Sequence, residues 1–314
     1  MPTITPVDAY DCISFITDHK ADVVAGVYDV MVKEEWVDLI GNSEQVTLAT
    51  YCKSSKATLA ARTKFENVME IIARGNRYSS PKNVLFKNPN IKPSVLEILA
   101  KDPDGVIRKS VAQHPQTPSS ALDILAKDNS QPDIRQFVAS HHNTSPASLD
   151  VLARDASIPI RACVARNQQT SLRTLTNLAK DAEKTVRADV SGNAEVSLTL
   201  LELLSGDAAE QVRMSVCESA KVTLELLQKL AHDQSELVRG AVVRHRQTPT
   251  GTLSLLGNDT SRSVKTALAQ NPNTPVSILK KLAKDRDQAI RDEAKRNPTR
   301  VANLTWLDRL LEWL

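Results

Sequence analysis

Residues 271–296 read NPNTPVSILKKLAKDRDQAIRDEAKR, and the same 26-residue pattern can be traced seven more times upstream. Leu stands at 96, 122, 149, 175, 201, 227, 253 and 279, with a second Leu three residues later each time and an Asp three after that. A basic residue follows each Asp, from Arg108, Arg135 and Arg161 through Lys265 to Arg291. The repeats open at 88, 114, 141, 167, 193, 219, 245 and 271, and one extra residue near Ser130-Gln131-Pro132 is read as a loop insertion. Self-similarity of this kind specifies a stack of units, each too small to bury its own apolar face.

Each unit predicts two helices. The first, of about ten residues, opens on a turn such as Gln116-Thr117-Pro118, where Thr can accept a hydrogen bond from the first helical turn and Pro presets φ. Its Leu pair and an adjacent Ala (Ala100, Ala126, Ala153, Ala179, Ala283) make one apolar stripe and let helices approach closely. A tight Asp-containing turn leads to a second short helix with Ile or Val just before the basic slot, such as Ile107, Val186 or Val264. Helices this short do not persist alone, so stacking stabilises them. The expected fold is all-α: a right-handed α-solenoid of about eight repeats with helical caps.

The gross composition agrees. Hydrophobic residues make up 41% and charged residues 25%, while aromatics are only 4%, which suits short helices packed through Leu, Val and Ala. The first residues do not read as a secretory signal, and no segment approaches the roughly 20 apolar residues of a membrane span. Cys12, Cys52, Cys163 and Cys217 are widely separated with no CxxC pair, against a zinc site or a disulfide scaffold. A cytoplasmic protein is expected. Residues 1–45 hold nine acids and two bases, so a net charge of +3 for the chain hides an acidic N-terminus and a basic remainder.

Around the array at 88–296, residues 1–76 are read as an acidic helical cap, with helices from Thr5-Pro6 through Ile16, from Asp22 to Ile40 and from Glu44 to Arg62. Residues 65–87 form a degenerate repeat, in which Ile72-Ala73-Arg74-Gly75-Asn76 and Leu85 echo the array. Residues 297–314 form a C-terminal helix with Leu304, Leu307, Leu311 and Leu314 on one stripe and Trp306, Leu310 and Trp313 on another. It caps the last repeat, or it is a docking surface through which Trp306 and Trp313 make a dimer.

The spacing Asp181-Ala-Glu-Lys-Thr-Val-Arg187 resembles the HEAT-repeat signature. Asn-Pro-Asn-Thr-Pro at 271–275, followed by Leu279, Leu282, Ala283 and Asp285, is similar to the leucine-rich repeat variant. That resemblance covers 88–296 and implies units pairing an α-helix with a second helix of 3₁₀ character. It implies binding of proteins, nucleic acids or other ligands without choosing among them. Variant proteins of this family can carry an N-terminal iron–sulfur cluster; here only Cys12 and Cys52 precede the array, too few for four thiolates, so no cofactor is expected. Some HEAT-like solenoids are DNA glycosylases that use Trp and Asp, but Trp36, Trp306 and Trp313 all lie outside the array.

Because a catalytic constellation breaks symmetry and a ladder preserves it, the Asp and Arg series are expected to be structural: Asp accepts backbone N–H bonds before the second helix and Arg reaches the adjacent repeat. The slot Asn88, His114, His141, Asn167, Asn193, Ser219, His245, Asn271 reads as a helix-ending position that tolerates a left-handed backbone. His141-His142 lacks a neighbouring carboxylate or Cys at ligand spacing. Lys101, Lys127, Arg154, Lys180 and Lys284 end the first helix, where positive charge complements the helix dipole; aligned, they would also make a basic stripe. Arg166, Arg244, His245, Arg246 and Arg296 mark another edge. These basic edges carry the case for nucleic acid, against which stands the shortage of rings for base stacking, since Phe137 is the only Phe, Tyr or Trp between 88 and 296. The leading expectation is a non-catalytic scaffold for a protein partner, with nucleic-acid binding as the alternative.

Overall fold

The computed structural model describes residues 2–25, 27–75 and 79–303. Their regular elements are helices, apart from a two-residue parallel pairing of Thr3–Ile4 with Asp29–Val30. The fold is an α-solenoid. Two compact units, Met1–Gln169 and Thr170–Leu314, are distinguished by their internal packing.

In the first unit the array repeats pair Pro93–Leu99 with Gly105–Gln113, Ser119–Leu125 with Pro132–Ser140, and Pro146–Leu152 with Ile158–Arg166. In the second, Leu172–Leu178 is followed by Lys184–Ser191, Leu198–Leu204 by Glu210–Glu218, and Leu224–Leu230 by Glu236–Arg244. Thr250–Leu256 with Arg262–Gln270 and Val276–Leu282 with Gln288–Arg296 complete it. The first helix has seven residues rather than ten, because its last turn tightens: Lys101 and Asp102 donate to Ile98 and Leu99, three residues back. The second helix is α-helical, not 3₁₀. Pro132 opens such a helix at its first position instead of lying in a loop, a place where its missing N–H costs nothing.

All sixteen Leu of the two slots are buried, none more than 3% exposed. The second helices pack on one another from repeat to repeat within each unit. There the contact residues are small, with Val111-Ala112, Val138-Ala139 and Val216-Cys217 buried in register. Close helix approach thus occurs in the second layer, not beside Ala100 and its equivalents as the sequence suggested; small side chains are what permit short interaxial distances.

Hydrogen-bonded ladders tie the repeats at both ends of the second helix. At its N-terminal end, each slot Asp accepts the backbone N–H two residues on, as Asp207 does from Ala209 at 2.8 Å. Within each unit the carboxylate also receives the basic residue of the preceding repeat: Arg187 Nε and Nη2 donate to Asp207 at 2.7 and 2.9 Å, and Arg213 to Asp233 at 2.6 and 2.8 Å. The remaining nitrogen of Arg187 donates to the carbonyls of Asp181 and Ala182 at 2.7 and 3.0 Å, closing its own turn. The expected rung is therefore present, with a third contact that spacing did not disclose.

At the C-terminal end, the Asn/His slot is extended rather than left-handed (His141 φ −77°, ψ 134°; Asn271 φ −73°, ψ 122°). Its work is done by the side chain. Asn297 Nδ2 donates to the carbonyls of Ala269 and Asn271 at 2.8 and 2.9 Å, and Asn88 to those of Ala60 and Thr63. His141 places Nε2 3.0 Å from His114 O, while its Nδ1 accepts the Asn143 N–H. The turn Thr also acts differently from expectation: Thr117 and Thr274 hydroxyls donate to the carbonyls of Val111 and Leu268, six residues back. Capping falls to the next residue, Ser171 or Ser197 accepting from Thr174 or Leu200.

Before the array, Glu66–Arg74 is followed by Ser79–Leu85, and Asn42–Tyr51 and Lys56–Arg62 pack against them in the same alternation. Lys82 occupies the basic slot, 26 residues before Arg108, and its ammonium pairs with Asp102. The helix expected over 22–40 is absent. Lys20–Val24 is one short turn, and beyond it Val30 and Val32 are buried while Met31 is 44% exposed, the period of a strand. Glu34–Trp36 is 3₁₀. The first helix runs Ala9–Asp18, capped by Asp8 rather than Thr5. Pro298–Ala302 begins the C-terminal segment; the stripe Leu304–Leu314 lies outside the described residues.

Candidate functional site

The two ladders absorb the most regular polar side chains, so exposed chemistry sits in the slots that vary. Lys101, Lys127 and Arg154 are all exposed, each in the turn one residue past the last helical cap (Ala100, Ala126, Ala153). They occupy equivalent places in successive repeats of the first unit. In the second unit that slot reads Lys180, Gly206, His232, Asn258 and Lys284, so the basic series is interrupted. Arg166 is exposed at the end of Ile158–Arg166, its guanidinium 3.9 Å from Cys163 Sγ. Trp306 and Trp313 lie outside the described residues.

Arg244, His245 and Arg246 are brought together. Arg244 ends the helix Glu236–Arg244, His245 caps it in an extended conformation (φ −69°, ψ 128°), and all three border a cavity of about 450 Å³. Cys217, Ala220 and Ala241 supply its apolar wall and Glu218 its acidic rim. Arg244 also borders two neighbouring hollows, one of about 410 Å³ with Arg262 and Thr266, one of about 250 Å³ with Gln270 and Asn273. Ala241 and Ala267, which border these hollows, are small where another repeat carries Phe137. A Cβ on Gly240 would lie 3.4 Å from Arg244 Nη1, so the guanidinium rests against its own helix backbone. Gly240, Arg262, Gln270 and Asn273 were not singled out from sequence; the Gly240 slot, which reads Lys109, Gln136, Ala162, Ala188, Met214, Thr266 and Asp292 elsewhere, has no constant residue to depart from.

Charges here are unevenly committed. Arg239, five residues before Arg244, is held by Asp259 at 2.6 Å. Arg262 pairs with Asp287, and the Glu236 carboxylate accepts the Ser261 hydroxyl. Arg244 and Arg246 pair with no carboxylate among the described residues. Burial holds the His245 imidazole below its ordinary pKa and pushes the Cys217 thiol up to about 12, so both are neutral at pH 7. Cys217 occupies the slot of Ala112 and behaves as a small core residue.

His141 and His142 stack with ring centroids 4.7 Å apart, and both nitrogens of His141 are engaged in the ladder. Among the described residues no group of three His, Cys, Asp or Glu is arranged to hold a metal ion, and no helix is long and apolar enough to cross a membrane.

A solved structure described as a leucine-rich repeat variant with a novel repetitive structural motif is similar to this chain, with 22% identity and a TM-score of 0.54 over 72% of this chain and 88% of that one. No protein-family model and no curated protein sequence matches the chain.

Proposed function

We propose that this α-solenoid, which shares the fold of the leucine-rich repeat variant, is a non-catalytic interaction scaffold that holds a protein partner on the exposed face of its second helices. One observation supports this above the rest: periodic polar groups are spent on internal ladders, whereas the unpaired Arg244 and Arg246 gather beside cavities on that face. Solenoids characteristically bind through extended surfaces built from variable positions of a constant repeat. A photo-crosslinking residue at Thr266, on the second helix Arg262–Gln270, should yield a discrete protein adduct in cells, and one at Leu224, on the exposed side of a first helix, should not. Equal, diffuse labelling from both positions would end this reading.

The alternative, contact with a nucleic-acid backbone, draws on the exposed Lys101, Lys127 and Arg154 in successive turns. It predicts duplex or tRNA retardation that weakens steeply with salt and is lost when these three become Ala; absence of retardation at low salt removes it.

A further inference from the structure

Three consecutive basic side chains rarely face one hollow, since neighbouring residues on a helix point about 100° apart. Here the chain leaves the helix between them. Arg244 is the last helical residue, His245 is extended, and Arg246 lies in the following turn, so all three border the same cavity. His245 is also incomplete as a ladder member. Its Nδ1 accepts the Gln247 N–H at 3.3 Å as His141 Nδ1 accepts that of Asn143, but its Nε2 makes none of the hydrogen bonds among the described residues that His141 Nε2 makes to His114 O. Three donors thus border a space of about 450 Å³, a volume suited to one or two side chains of a peptide.

We infer that this cavity is a carboxylate-binding site for an acidic segment of a protein partner, Arg244 and Arg246 gripping an Asp or Glu side chain while Ala220 and Ala241 receive a small apolar neighbour. The inference rests on the scaffold reading above and gives it a partner chemistry. Guanidinium groups match a carboxylate in planar, two-point fashion. Charge complementarity is local: the two arginines lack acidic partners among the described residues, and Glu218 is the single carboxylate lining the cavity. No Phe, Tyr or Trp lines the cavity to stack a base.

The test uses the full chain and a fluorescein-labelled hexaglutamate peptide, read by anisotropy at low salt beside hexaglutamine and oligo-dT probes. Hexaglutamate binds, hexaglutamine does not, and Arg244→Ala/Arg246→Ala weakens binding about tenfold or more. Ala241→Phe, on the apolar wall, weakens it as well without removing charge; that slot already holds Phe137 in another repeat, so the fold accommodates it. Lys101→Ala/Lys127→Ala/Arg154→Ala leaves binding unchanged. Equal loss from the two sets of basic substitutions, displacement of hexaglutamate by oligo-dT, or no binding by the unaltered protein would overturn the assignment. Failure of hexaglutamate with the Thr266 adduct retained removes this site alone; loss of that adduct removes the scaffold reading.

Discussion

Arg239 and Arg244 share one helix and differ in everything that follows from their position. Arg239 lies on the rung, donating to Asp259 of the next repeat and to the carbonyls of Asp233 and Gln234 in its own turn. Arg244, at the helix end, meets no carboxylate and borders three hollows. The first recurs every repeat because every interface needs it; the second stands in a slot that varies, reading Gln113, Ser140, Arg166, Gly192, Glu218, Gln270 and Arg296 in the other repeats. In a periodic fold, repetition marks what holds the stack, and departure from repetition marks what the stack displays.

The sharpest way to stress this contrast is to remove something periodic. Leu253→Ala, at a fully buried slot, should cost about 2–5 kcal/mol, measured by urea unfolding. Arg239→Ala should cost about 1–3 kcal/mol, since it strips hydrogen bonds from the largely buried Asp259; an unmoved midpoint would make the rung incidental. The rungs also set an acid limit. Arg187 holds the Asp207 carboxyl below its usual range, and at Asp155, Asp233 and Asp259 hydrogen bonds outweigh the upward push of burial. A carboxyl depressed in the folded state stabilises it above the unfolded value near pH ~4, and that contribution is lost as pH falls through the folded values. Unfolding midpoints across this window should drop steeply, with Arg239→Ala flattening the drop.

A smaller effect belongs to the histidine rung. Burial lowers the His141 pKa, so the folded state prefers the neutral ring; stability is full above the ordinary value near ~6.5 and declines as pH falls below it. His141→Asn, the residue found in this slot at 167 and 271, should keep neutral-pH stability and remove that decline. Smallest of all, Arg244→Ala should shift stability within about 0.5 kcal/mol. A large loss there would erase the distinction between the two arginines.

Much of the frame was legible in the residues. The Leu pair predicted burial because its spacing leaves one face of a short helix apolar, and the Asp–basic series predicted an inter-repeat pair because opposite charges recurred together. The slot opening each repeat was legible as a helix end but not in conformation: Asn was expected to supply a left-handed backbone, whereas its amide spans to carbonyls 26 and 28 residues earlier, a contact no local rule contains. Lys82 went unnoticed although its offset from Arg108 was available, because the surrounding repeat is degenerate. The segment 22–40 was misread because scattered Val residues satisfy helical spacing loosely, while Asp29 accepts from Ser54 N and Oγ at 3.2 and 2.5 Å, a long-range tie that favours an extended run.

For the candidate site, sequence named Arg244, His245 and Arg246 but could not say that they share a cavity. It also grouped Arg166 and Arg296 with them, and neither lines that space. By itself the sequence determined the repeat, its core and its rungs, since those follow from periodic spacing and are satisfied by any neighbour of the same kind. The cleft was decided by tertiary structure alone, because it depends on what stands beside each arginine: the small Ala220 and Ala241, a helix that ends between Arg244 and Arg246, and carboxylates already taken by other partners.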